Sequence, residues 1–68
     1  MERTYKMIEL VGISEKNYEE AIQNAVSKAA QTLHGLSWFE VVEMRGSING
    51  DQVAEFQAKI KVAFKIGK

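Results

Sequence analysis

Residues Ser37 to Ile66 read SWFEVVEMRGSINGDQVAEFQAKIKVAFKI. The second half of this stretch decides the fold, because it alternates without a break. Ala54, Phe56, Ala58, Ile60, Val62, Phe64 and Ile66 fall on one side. Val53, Glu55, Gln57, Lys59, Lys61, Ala63 and Lys65 fall on the other. A period of two sustained from Gln52 to Ile66 predicts a strand with one core face and one wetter face. Asn-Gly-Asp at 49–51 supplies a hairpin turn, since Asn-Gly accepts positive φ. The strand before it spans Ser37 to Ile48. With Asn49-Gly50 as a two-residue loop, Ile48 pairs with Asp51, Phe39 with Ile60 and Val41 with Ala58. On the wetter face Trp38 then meets Lys61, Glu40 meets Lys59 and Val42 meets Gln57. This register leaves Glu43 inside and Met44 and Ile48 outside. A bulge near Glu43 would repair it, because a bulge re-aims the side chains that follow.

Upstream, Thr4 to Ile13 is a strand with Ile8 and Leu10 on one face and Tyr5, Met7, Glu9 and Val11 on the other. Between the strands, Tyr18, Ala21, Ile22, Ala25, Val26, Ala29 and Leu33 form one helical stripe. Ser14 and Asn17 compete as its N-cap, the latter with Glu20 three residues on. Gly35 is the expected stop, with Lys28 and His34 toward the negative end of the dipole. The order is β-α-β-β, an α+β fold. The right-handed crossover preference places the third strand between the first two, order 1-3-2, antiparallel to both, with the helix on one face. The other face is left uncovered and carries Trp38, Val42, Met7, Tyr5 and Val11, an apolar patch that implies a partner or a flat ligand.

The chain has 68 residues, enough for a single domain over 1–68. Folding alone, such a domain buries only about 60% of its unfolded surface. There is no cysteine and one histidine, so disulfides and a zinc site are not available as supports. Oligomerisation is the remaining remedy. Nine basic residues balance nine acidic ones, and nothing draws the chain to nucleic acid or to a membrane surface. No apolar run is long enough to span a bilayer. The start lacks signal-peptide features, so the expected location is the cytoplasm.

Catalytic signatures are missing: no nucleophile elbow, no phosphate-cradling glycine loop, no metal-spaced cluster. Glu40 and Glu43 read as strand carboxylates and His34 as a helix-end residue, so no enzyme is expected. Trp38 has three possible roles. It packs in a subunit interface, it stacks on a nucleic-acid base, or it stacks on a flat cofactor. The second would need a basic groove with several aromatics. The third would need a nearby amide to read the ring edge, and Gln57 on the same face both donates and accepts.

ELVGIS, WFEVVEMRG and EFQAKIKVAFKI, in this order and spacing, resemble the dodecins, small flavin-binding proteins of β-α-β-β fold. The likeness covers essentially the whole chain. It implies a hollow homo-dodecamer in which flavin rings lie between tryptophans of neighbouring subunits, with FMN or riboflavin as cofactor. By this resemblance Trp38 stacks on the ring, Gln57 bonds its pyrimidine edge, and Arg45 lies near the ribityl tail or phosphate, as in bacterial members. Many relatives carry a charged residue just before the tryptophan; Ser37 stands there in this chain. Some bacterial members also bind coenzyme A, and the matching cations are Lys6, Lys28, His34 and Lys65. Lys6 and Lys65 are also expected as neighbours in a 1-3-2 sheet, a small phosphate-attracting patch. The implied role is flavin storage and photoprotection: an indole against the ring quenches its excited state. The rival reading is a structural oligomerisation module in which Trp38 only packs against another subunit.

Overall fold

Alternation carries β3 through Gln52–Ile66. At about 3.3 Å per residue this one strand accounts for the 53 Å length of the molecule, which is only 13 Å along its thinnest axis. The computed structural model describes residues 2–67. β1 (Thr4–Ser14), α1 (Tyr18–Ala30), β2 (Leu36–Asn49) and β3 follow in that order. The sheet order is β1-β3-β2, with both outer strands antiparallel to β3. That is the β-α-β-β fold expected from the alternation and the crossover rule. None of the described helices is long and apolar enough to cross a membrane.

The two candidate caps divide the work. Asn17 is the N-cap, and its Oδ1 accepts from the Glu20 N–H at 2.7 Å. Ser14 Oγ donates to Glu20 Oε1 at 2.7 Å and accepts from the Lys16 N–H at 2.9 Å. The other end differs from expectation. The helix stops at Ala30 with Gln31 as its C-cap, not at His34-Gly35. The N–H groups of Gln31 and Thr32 bond to the carbonyls of Lys28 and Ala29, three residues back, so the last turn tightens and ends. Gly35 does take positive φ, +76°, but within the loop, where its carbonyl accepts from the Lys65 N–H at 3.1 Å.

Ala21 and Ala25 of α1 pack on Ala58, Ile60 and Val62 of β3, flanked by Ile8, Leu10, Ile22, Val26 and Leu36. Small residues dominate because the helix lies very close to β1. A Cβ added at Gly12 would strike the Ala21 carbonyl and lie 2.9 Å from Ala25 Cβ. Asn24 Nδ2 fastens the helix further by donating to the Ile13 carbonyl at 3.0 Å.

α1 packs on β1 and β3. β2 therefore has no buried residue anywhere along its length. Phe39 and Val41 pair with Val62 and Ile60, on the side expected, yet both remain about half exposed. The helix does not reach over them. The radius of gyration is 14.0 Å, against about 11 Å for a compact chain of this length. The end of β2 and the start of β3 thus form an arm that extends from the core. Its tip pairs Ile48 with Val53, two strongly exposed apolar residues.

The hairpin loop is Gly50-Asp51, flanked by the pair Asn49 and Gln52. It is not Asn49-Gly50. Only Gly50 has positive φ, +69°, which fits a turn with glycine at its first central position. This moves each partner by two residues near Trp38. An even shift keeps the side chains from Trp38 to Val41 on their expected faces, so Trp38 pairs with Ala63 rather than Lys61, and Glu40 with Lys61. Register shifts occur at Leu36/Trp38, Val41/Glu43 and Ser47/Ile48. The second is the bulge expected near Glu43, and Val42 is its extra residue.

Candidate functional site

Two of these bulges build the candidate site. Ser37 is the extra residue of the first. It lets Leu36 face the core while Trp38 faces the opposite side of the sheet. Val42, the extra residue of the second, reverses parity again. Glu43 and Arg45 therefore pair with Lys59 and Gln57 on the helix-free face, where unbroken alternation would have turned them inward. Trp38, Arg45 and Gln57 share that face for this reason. Ser37 itself donates from Oγ to the Gly35 carbonyl at 3.0 Å.

Trp38 is 43% exposed. Its Nε1 donates to Glu40 Oε2 at 3.3 Å. Its ring lies 4.7 Å, centroid to centroid, from that of Tyr5, with the planes inclined at 56°. Tyr5 comes from β1 and Trp38 from β2, so the two rings meet across β3. Ala63, the register partner of Trp38 and of Met7, is fully buried although no helix covers this face.

The second half of the site is polar. Arg45 Nε donates to Gln57 Oε1 at 2.8 Å, and Arg45 Nη1 donates to Glu43 Oε1 at 3.0 Å. Gln57 Nε2 donates in turn to Glu55 Oε1 at 3.2 Å. Ser47 Oγ donates to the same carboxylate oxygen at 3.4 Å. The network fixes which end of the Gln57 amide points where: its oxygen toward the cation, its nitrogen toward the anion.

The two halves do not meet within one protomer. Gln57 and Ala63 are six residues apart on β3, so Gln57 lies about 20 Å along the strand from Trp38. The cleft beside the indole, lined by Val26, Leu36, Ser37, Trp38, Phe39 and Val62, measures about 160 Å³. Pockets that enclose small organic ligands run to about 300–1,000 Å³. A larger cleft of about 470 Å³ lies between β1 and the C-terminal half of α1, with Leu10, Lys28 and Thr32 in its wall.

The four cations matched to coenzyme A are spread out. Lys6 pairs with Phe64, and Lys65 with Tyr5. Parity puts Lys6 on the helix side and Lys65 on the other, so the neighbouring pair does not form one patch. Lys28 stands in the last helical turn. His34 is exposed in the loop beyond it. Among the described residues there is no group of three or more His, Cys, Asp or Glu that could hold a metal ion.

Sequence reading placed Tyr5 on the uncovered face with Trp38 but did not join the two rings, and it missed Glu40, Glu43 and Glu55 as members of the site. The signal for Tyr5 was present: order 1-3-2 brings β1 and β2 to either side of β3, so an aromatic near the start of β1 can reach one near the start of β2.

A family model described as Dodecin matches residues 4–67. A curated Dodecin from Thermus thermophilus is 47% identical over 66 residues, which is 97% of this chain and 96% of that protein. Among solved structures, dodecin from Streptomyces davaonensis superposes with a TM-score of 0.95 at 43% identity, covering all of both chains. A T. thermophilus dodecin in which a tryptophan is replaced by phenylalanine matches with a TM-score of 0.93 at 43% identity, over 98% of this chain and 100% of that one.

Proposed function

This chain belongs to the dodecins, a family of small, oligomeric, non-enzymatic flavin-binding proteins, and we propose that it binds FMN or riboflavin in a homo-dodecamer as a store that protects the flavin from light. The residues fit such a ligand. Trp38 offers a half-exposed aromatic plane to a flat ring. The Gln57 amide suits a ring edge that carries both donors and acceptors. Arg45 offers planar donors to a tail phosphate. When bound, a flavin supplies a light-absorbing, redox-active ring. Trp38 stacked against it would act as an electron donor to the excited ring and shorten its lifetime.

The observation that carries this reading is the separation of Trp38 and Gln57 along one face. No single flat ring within one protomer reaches both. Two protomers that lay their helix-free faces together could bring one's indole to the other's amide and arginine. Such a site forms only on assembly, which agrees with a β2 that has no fully buried residue in the isolated chain. Coenzyme A, if bound by Lys6, Lys28, His34 and Lys65, would likewise need cations from more than one copy.

The test is reconstitution. Protein refolded with excess FMN and desalted should remain yellow and run at the mass of a large oligomer. Flavin emission should be quenched on binding, and Trp38→Ala should restore most of it. Colourless protein after desalting contradicts the reading. The exposed apolar strip on β2 also suits assembly without a ligand. In that case Trp38→Ala breaks the oligomer and neither protein takes up flavin.

A further inference from the structure

We infer that Tyr5 is the positioning residue for Trp38, holding the indole so that it offers one of its faces to a flat ring. This rests on Trp38 being the residue that stacks. Three observations carry it. The Tyr5 and Trp38 rings stand 4.7 Å apart at 56°, the spacing of a tilted aromatic pair. Beneath them Ala63 is fully buried on a face that no helix covers. The other central positions of this face on β3 hold Lys59 and Lys61, and a side chain of that length at 63 would stand between the rings. Trp38 Nε1 is held separately by Glu40 Oε2 at 3.3 Å.

Tyr5 therefore sets the tilt of the indole, and Glu40 sets its rotation in plane. A side chain fixed in this way has already lost most of its rotamer freedom before a ligand arrives, so binding does not have to order it. Trp38 is nonetheless 43% exposed. Tyr5 occupies one side, and each Trp38 serves one ring. Arg3 lies with its guanidinium carbon 5.8 Å from the centroid of Tyr5, within the range of a cation–π contact that steadies the ring in turn.

The experiment compares flavin titrations of wild type, Tyr5→Phe, Tyr5→Ala, Tyr5→Leu and Trp38→Ala, each checked for native mass. Tyr5→Phe keeps the aromatic plane and should bind within about twofold of wild type. Tyr5→Ala and Tyr5→Leu should bind several-fold to about tenfold more weakly. Leu keeps an apolar side chain at this position without an aromatic plane, so it separates presentation of the indole from simple packing, and it serves if the alanine variant does not fold. Trp38 is the chain's only tryptophan. Its emission and near-ultraviolet dichroism should therefore change in both variants before any flavin is added. A purely structural Tyr5 would lower thermal stability and leave the affinity of the folded protein alone. Wild-type affinity in Tyr5→Leu, with binding lost in Trp38→Ala, overturns the role of Tyr5 only. Wild-type affinity in Trp38→Ala overturns the stacking reading itself, and this inference with it.

Discussion

Arg45 donates through Nε to the oxygen of Gln57 at 2.8 Å, so the cation and the amide of the candidate site are already joined before any ligand is present. Glu43 holds the same guanidinium through Nη1 at 3.0 Å. Both side chains of that ion pair are about half exposed, and such pairs contribute about 0.2–1 kcal/mol. The pair is weak enough for a phosphate to displace.

Glu43 should therefore act against phosphorylated flavin. Its carboxylate competes for Arg45 and repels an anionic tail. Glu43→Gln is expected to tighten FMN several-fold, by about 1 kcal/mol at low salt, and to leave riboflavin nearly unchanged. The gain should shrink at about 0.5 M salt, where screening is strong. Parallel fluorescence titrations with the two flavins measure this. An equal shift for both would remove Glu43 from tail selection.

Gly12 sets how closely α1 approaches the sheet. Gly12→Ala places a methyl group against the Ala21 carbonyl and Ala25 Cβ, so the helix must move outward. The expected loss is about 1–3 kcal/mol, in the range of an overpacked core. Each kilocalorie lowers the melting temperature by about 4–8 °C in a chain of this size. Melting at a fixed protomer concentration checks it, because assembly makes the midpoint concentration-dependent. A variant as stable as wild type would show that the helix is free to shift.

Assembly should depend on the uncovered side of β2. Met44 pairs with Ala58 on the helix side and is half exposed, beyond the reach of α1. Met44→Glu places a charge in the apolar strip formed with Phe39 and Val41 while leaving the buried core untouched. The expected result is a smaller species by native mass at low micromolar concentration. An unchanged oligomer would place the subunit contact elsewhere.

The fold was legible because its signals are periodic. The alternation of β3 and the stripe through Ala21, Ala25 and Ala29 need only parity and helical spacing to read. Register was less legible. Gly50-Asp51 and Asn49-Gly50 are both acceptable turns, and the choice between them moves Trp38 from Lys61 to Ala63 without changing its face. That two-residue shift hides the main feature of the site. The expected register put Trp38's partner four residues from Gln57; in the structure the separation is six. The Val42 bulge was readable from the conflict between Glu43 inside and Met44 outside. The Ser37 bulge was not, since the expected strand began at Ser37 and left Leu36 without a face, so no conflict with Trp38 arose. The early end of α1 was hidden as well, because Leu33 continues the apolar stripe past the last helical residue.

The central claim, that one flavin is held by Trp38 of one protomer and Gln57 of another, has a direct test by complementation. Trp38→Ala and Gln57→Ala proteins are each assayed for FMN binding, then mixed unfolded in equal amounts and refolded together. Separately, each should bind poorly. Together, about one site in four should regain both residues if the two come from different copies and mix at random, and FMN binding and quenching should return in that proportion. A co-refolded mixture of mixed oligomers that binds no better than its two parents would place Trp38 and Gln57 in the same protomer's site, and would contradict the account.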